Sequence, residues 1–336
     1  MLSRRTANPL GLLVVSEPVK ALVTGGAGFI GSHLSDALLD RGNDVLIIDD
    51  LSSGSLENIA QATAAGADFI EGSILDQDFL ERTVRDFEPN TIFHFAAQGN
   101  VRASTDRPVR DAEINVVGTV NLLEASRAVG LDRFVFASSG GAIYGESEVL
   151  PATEDGPLRP LSPYGVSKLA AERYLALYRQ MYMFNSVCLR LSNVYGPRQN
   201  PRGESGVISI FGELLRDGRS PVIFGDGTQT RDYVYITDVI DAVLSAAATD
   251  VEGPINIGSG VETSLLDLLS GIVEAGPTRN GSNGSSAHAV PEPEFLPARR
   301  DEVRRNVVDT SRAAELIGWN ATTSLEDGLR TTLASL

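Results

Sequence analysis

A chain of 336 residues with 42% apolar residues can bury a full core. Its net charge of −16 disfavours nonspecific nucleic-acid binding, which needs basic surface to displace counterions from phosphates. One cysteine, Cys188, and three scattered histidines, His33, His94 and His288, exclude an internal disulfide, argue against a Cys/His metal site and point to a reducing, cytoplasmic setting.

In chain order, residues 1–18 (MLSRRTANPLGLLVVSEP) read as a disordered extension, because the apolar run is too short and lacks the cleavage site of a secretory signal. Six apolar runs then read as strands: 20–25, 44–49, 68–73, 91–97, 133–139 and 186–193. Amphipathic stretches separate them, among them SHLSDALLDRG and NVVGTVNLLEASRAVG, the second ending on a glycine suited to a helix C-terminus. Strands apolar throughout and spaced by helices imply a parallel sheet covered on both faces. The expected class is α/β, a Rossmann-type doubly wound sheet over 19–192 with a smaller, loop-rich substrate region over 193–336. Within that region 232–250 returns to pack on the first domain, and the Gly/Ser/Asn tract 276–290 forms a flexible loop. No run of about 18 apolar residues is present to span a membrane.

Three clusters carry chemistry. Directly after the first strand, GGAGFIG (25–31) lets a diphosphate approach main-chain N–H groups at a helix N-terminus. Asp49, 18 residues beyond Gly31 at the end of the second strand, is placed to accept from ribose hydroxyls and would repel a 2′-phosphate, which favours NAD over NADP. Third, Ser162-Pro163 reads as a helix start, with Tyr164 and Lys168 one turn apart on one face. An ammonium beside a phenol favours the phenolate and makes it a proton-transfer group near neutral pH. The chain has 26 arginines and only two lysines, Lys20 and Lys168, so an ammonium here is a marked choice.

Together with IIDDLSSG, HFAAQ, SSGGAIYG, LRLSNVYGPRQ, GDGTQTRDYVYITDV, NIGSG and PARRDEVRR, these motifs resemble the extended short-chain dehydrogenases/reductases, and within them the nucleotide-sugar epimerases, from Lys20 to Leu336. The resemblance implies bound NAD that takes hydride from C4 of a UDP-sugar and returns it to the opposite face, with Tyr164 as acid/base. Lys168 would set its pKa and hold the ribose, and Ser139 or Ser138 would bond the 4-oxygen. It places Gly25, Gly28, Phe29, Ile30 and Gly31 at the cofactor diphosphate and Asp49, Asp50, Ser52 and Ser53 at the ribose. Ile74, Ala96, Ala97, Gln98 and Asn115 line the rest of the cofactor.

For the substrate it implies Asn193, Arg231 and Arg299 at the diphosphate and Val207, Ile208 and Phe224 near the uracil. A homodimer through the Tyr164–Tyr182 helix is the expected assembly. His94 reads as a core side chain. The chain departs from the pattern at Gly140, where relatives carry Ser or Thr, at Ser73 in place of an adenine-binding aspartate, and at Asp301 in place of a glycine. Gly140-Gly141-Ala142 holds no ionisable group where a 4,6-dehydratase has its acid pair or a decarboxylase its glutamate, which favours epimerisation. A nucleotide sensor on this fold would have no need of both Tyr164 and Lys168.

Overall fold

The computed structural model describes residues 19–200, 206–276, 291–299 and 303–336. The expectations for 1–18, for 277–290 of the Gly/Ser tract and for Asp301 lie outside the described residues. The six runs read from sequence form β1 (Lys20–Thr24), β2 (Asp44–Asp49), β3 (Asp68–Glu71), β4 (Thr91–His94), β5 (Arg133–Ser139) and β6 (Ser186–Leu191). Six further strands follow: β7 (Asn193–Tyr195), β8 (Val222–Phe224), β9 (Thr230–Tyr235), β10 (Gly253–Ile257), β11 (Glu262–Ser264) and β12 (Glu294–Leu296).

Seven strands form one parallel sheet in the order β10-β6-β5-β4-β1-β2-β3. Successive side chains on each strand enter opposite cores, because strand side chains alternate with period two. Ala21, Val23, Val45, Ile47, Phe93 and Val135 join one buried cluster, and Leu22, Leu46, Ile48, Ile92, Phe134 and Phe136 join the other. Each fully buried Leu, Ile or Phe contributes about 1.5–3 kcal/mol. This two-sided burial is why the strands read as unbroken apolar runs.

The boundary expected at residue 192 does not divide the sheet. β10 is its seventh strand, with Ile255 opposite Leu189 of β6. Every residue of β6 is buried, so its outer edge needs a further strand to satisfy its backbone. The Ile236–Ala247 helix lies against the Phe29–Leu39 helix and β5. The remaining strands make a three-stranded sheet, β11-β9-β7, and a parallel pair, β12-β8. Among the described residues no helix is long and apolar enough to cross a membrane.

The helix expected to run to Gly130 stops sooner. A wide π-type turn over Glu113–Val117 leads into Gly118–Ser126. The chain then folds inward, and Asp132 and Arg133 donate from their N–H groups to the Asn90 carbonyl to start β5. Register with β4 therefore overrides the glycine signal.

One polar row crosses the carboxyl end of the sheet. Ser138, Arg190 and Asn256 are lateral neighbours on β5, β6 and β10. Glu172, from the Pro163–Tyr182 helix, accepts from Ser138 Oγ at 2.5 Å and from Arg190 Nε and Nη2 at 3.0 and 2.7 Å. Arg190 Nη1 donates to Tyr144 Oη at 2.9 Å, and Tyr144 donates to Asn256 Oδ1 at 2.6 Å. Removing one partner of a buried ion pair strands the other. Glu172→Ala should therefore lower unfolding free energy by about 3–5 kcal/mol, read by denaturant titration; a loss below 1 kcal/mol would show that Arg190 finds another partner.

Candidate active site

The site lies along the carboxyl ends of the parallel strands, where strand order reverses between β1 and β4 and ligands of such sheets bind. Gly25, immediately after β1, has φ +69°, and a Cβ there would come within 2.5 Å of the Ala96 backbone N. Only glycine lets the turn pass that close to the segment leaving β4. The Phe29–Leu39 helix starts at Gly28 with no side-chain cap bond and no acidic residue in its first turn. Its N–H groups suit an anion. Phe29 is buried in the core and Ile30 packs against it, so these two shape the helix start through packing.

Asp49 ends β2. Its Oδ2 accepts from Ala27 N at 3.0 Å and its Oδ1 from Leu51 N at 2.8 Å, which leaves each oxygen a further lone pair for a hydroxyl. Burial pushes its carboxyl up, while the Leu51 and Ala27 N–H groups pull it down. Asp50 caps its own turn by accepting from Ser52 N at 3.0 Å, and Ser52 and Ser53 are exposed. Ser73 likewise accepts from Leu75 N, and Ile74 is buried against the Gly118 backbone. These donors and acceptors fit a dinucleotide: a bare helix N-terminus for the diphosphate and a strand-end carboxylate for a ribose.

Beyond β4, Ala96, Ala97 and Gln98 are half-buried. Asn115 sits in the π-type turn, a wide turn of the kind found at functional positions. It fixes the Gln98 backbone from both sides, Oδ1 accepting from Gln98 N at 2.9 Å and Nδ2 donating to Gln98 O at 3.0 Å. His94 is fully buried between Thr24 Oγ1 (2.7 Å) and Thr119 Oγ1 (3.0 Å).

Ser162 and Pro163 start the Pro163–Tyr182 helix as the sequence indicates, Ser162 Oγ accepting from Gly165 N at 3.2 Å. Tyr164 is half-buried and its backbone N donates to Ser104 Oγ. Lys168 is 3% exposed. Its Nζ donates to the Ala137 carbonyl at 2.9 Å and lies 4.9 and 5.8 Å from the Phe136 and Tyr164 ring centroids. Burial pushes the Lys168 ammonium down to about 8, with Asp111 and Glu172 acting the other way.

The two candidate serines part company. Ser138 is buried and donates to Glu172, whereas Ser139 is half-buried at the strand end. A Cβ built on Gly141 would lie 3.8 Å from Ser139 Oγ and 3.5 Å from Asn193 Oδ1, so these two side chains flank the same glycine. At Gly140 a Cβ would meet the Arg190 carbonyl at 2.9 Å and Val308 Cγ1 at 3.0 Å. The chain is too tight there for the Ser or Thr that the resemblance leads one to expect.

Among the substrate-side residues, Arg299 and Phe224 come together, the guanidinium 3.6 Å from the ring centroid. Arg231 lies on β9 and donates to Thr230 O at 2.7 Å. Val207 and Ile208 open the Val207–Arg216 helix; Ile208 is core at 1% exposure, so Val207 alone of the pair presents surface. Two site-adjacent residues were missed in the sequence. Glu172 was findable, four residues beyond Lys168 on the same helix face. Asp111 was not, since nothing marks it among 44 acidic residues.

A doubly wound parallel sheet, a glycine turn at its switch point and a Tyr-x-x-x-Lys helix beside β5 define a short-chain dehydrogenase/reductase. Residues 21–258 match the NAD dependent epimerase/dehydratase family, and the chain belongs to that family. It is 44% identical to a UDP-glucose 4-epimerase of Mycolicibacterium smegmatis, over 94% of this chain and 97% of that one. The crystal structure of Thermotoga maritima UDP-glucose 4-epimerase with UDP-glucose matches with TM-score 0.86 and 41% identity, covering 94% of this chain and 97% of the other. That of Thermus thermophilus UDP-glucose 4-epimerase in complex with NAD matches with TM-score 0.84 and 40% identity, covering 94% and 98%.

Burial pushes the His94 imidazole down to about 3, with the Lys168 charge adding to the effect. The unfolded chain takes this proton near 6.5 and the folded one does not. His94 thus contributes stability that is full above pH 6.5 and is lost as pH falls toward 3. Its NMR ring signals should stay those of a neutral imidazole from pH 7 to 4, with unfolding midpoints falling over that range; titration near 6.5 would contradict the burial argument.

Proposed function

We propose that the protein is an NAD-dependent nucleotide-sugar 4-epimerase that interconverts UDP-glucose and UDP-galactose. The observation that carries this reading is the buried Lys168 one helical turn from Tyr164, beside a strand-end segment 140–142 without an ionisable group. NAD, when bound, supplies reversible hydride acceptance at the sugar C4. Gly25, Gly28 and Gly31 with the helix N-terminus would hold its diphosphate, and Asp49 its adenosine ribose.

Tyr164 takes the proton of the sugar 4-hydroxyl and returns it after the keto sugar has turned over. Lys168 puts an ammonium one helical turn from the phenol, which favours the phenolate, and its remaining donors would hold a ribose hydroxyl of the cofactor. Ser139 donates to the 4-oxygen, because the Ser138 hydroxyl is engaged by Glu172. Asn193, Arg231 and Arg299 bind the substrate diphosphate, with Phe224 beneath the Arg299 guanidinium toward the base. The relatives named for UDP-glucose epimerisation support the nucleotide and the sugar.

Asn306 is buried and donates from Nδ2 to the Gly140 carbonyl at 3.2 Å; it falls where the resemblance puts the residue at the sugar end, and a bulky aromatic there would narrow the site. UDP-GlcNAc is therefore a second expected substrate. Incubation with UDP-glucose, UDP-GlcNAc and dTDP-glucose without added NAD should give C4 epimers of the two UDP-sugars. A 4-keto-6-deoxy product would replace this reading with a dehydratase. Tyr164→Phe should fold and lose about 10²–10⁴-fold in kcat, and Lys168→Arg should lose most activity, since a planar fork has different reach.

We further propose a cytoplasmic homodimer. Val166, Tyr174, Leu177 and Met181 form an exposed apolar stripe along the Pro163–Tyr182 helix, beside exposed Val109 and Val117. Sedimentation should give twice the chain mass and Leu177→Asp a monomer; a wild-type monomer at micromolar concentration would rule the assembly out.

A further inference from the structure

Asp111 is 1% exposed and lies in the short Pro108–Ala112 helix, outside every motif quoted above. Its Oδ1 accepts from Gln98 Nε2 at 2.9 Å and Asn115 Nδ2 at 3.0 Å, and its Oδ2 accepts from Ser167 Oγ at 2.6 Å. The three donors come from three separate pieces of the site: the segment leaving β4, the π-type turn and the Tyr164–Lys168 helix. All three are neutral. A buried carboxylate gains from a positive charge as well as from hydrogen bonds, and Lys168, next in sequence to Ser167, is a buried cation on the helix that Asp111 grips.

The charges that face Lys168 can be weighed one by one. β5 presents the Ala137 carbonyl and the Phe136 ring, neither ionised. From β4 comes His94, held neutral by burial. Its own helix supplies the Tyr164 ring and Glu172, but Glu172 is bound bidentately by Arg190, so its charge is largely cancelled. Asp111 acts on Lys168 in the direction that favours the ammonium, as the first of its two opposing influences to burial. It is the carboxylate left uncompensated by any guanidinium in the contacts above.

We infer that Asp111 is a positioning residue, the counter-charge of Lys168 and the hub that locks Gln98, Asn115 and the Tyr164–Lys168 helix into one arrangement. The role rests on the epimerase reading for its catalytic consequence but not for its electrostatics. Asp111 opposes the effect of burial on the Lys168 ammonium, and its three hydrogen bonds keep the two halves of the site at their spacing.

The test uses the chain's two lysines. Full-length protein labelled with ¹³C at lysine Cε gives two side-chain signals, with Lys20 assigned through Lys20→Arg. In the wild type Lys168 should hold its proton to about pH 8, whereas an unpaired buried lysine loses it at about 5–6. Asp111→Asn should move the Lys168 midpoint down by about one unit or more. Ser167→Ala, which removes a bond and keeps the charge, should move it far less.

In turnover assays Asp111→Asn should lower kcat at least tenfold with little change in KM, and Asp111→Glu should recover part of it. A wild-type Lys168 midpoint near 6, or an unchanged midpoint in folded Asp111→Asn, overturns the inference even if that variant's partner assays fail. If the wild type forms no epimer on any UDP-sugar while the lysine shifts as stated, the counter-charge stands and only the functional reading falls.

Discussion

The Glu172–Arg190 ion pair is the interaction on which the rest of the site depends. Arg190 reaches it from the middle of a sheet strand, and Glu172 from the helix that carries Tyr164 and Lys168. Because both groups are buried, each is tolerable only in the presence of the other. The pair therefore sets the depth at which the helix sits on β5 and β6. Its spare hydrogen bonds extend the constraint: Ser138 on one side, and Tyr144, the Glu154 carbonyl and, through Tyr144, Asn256 of β10 on the other. One polar row thus aligns the strand ends from both halves of the chain.

That alignment explains the division of labour between neighbouring residues. Ser138 is consumed by Glu172, so only Ser139 is left half-exposed at the strand end. The tight passage of Gly140 past the Arg190 carbonyl follows from the same arrangement, and it accounts for a glycine where the family pattern leads one to expect a hydroxyl side chain. The departure is thus a packing consequence next to an intact Tyr/Lys pair. Lys168 is held in a space bounded by a carbonyl and two aromatic rings. A compact ammonium fits that space and can have its proton affinity lowered by burial; a guanidinium stays charged and presents a wide fork. This is a physical reason for one of the chain's two lysines to stand here among so many arginines.

Much of the fold was legible. The six main strands announced themselves as apolar runs because both faces of each are buried, and Ser162-Pro163 marked its helix start through local capping chemistry. The glycine turn was legible for the same local reason, since Gly25 must adopt positive φ beside Ala96. What was not legible was non-local. β10 carries no signal that it will pair with β6 and breach the boundary expected at 192, and the early end of the Gly118–Ser126 helix depends on hydrogen bonds to Asn90. The pairing of Arg299 with Phe224 and the burial of Ile208 likewise come from segments far apart in the chain.

By itself, then, the sequence determined the class of fold, the glycine turn, the strand-end Asp49 and the Tyr164–Lys168 spacing. These are written in periods and short motifs whose physics acts over one or two turns of chain. Only the tertiary structure decided which serine remains available, why position 140 has no side chain, and which buried carboxylates surround the lysine. Those answers depend on burial and on charges brought together from Asp111, Glu172 and Arg190. Desolvation and Coulomb interaction are properties of the space around a residue, and no local pattern records that space.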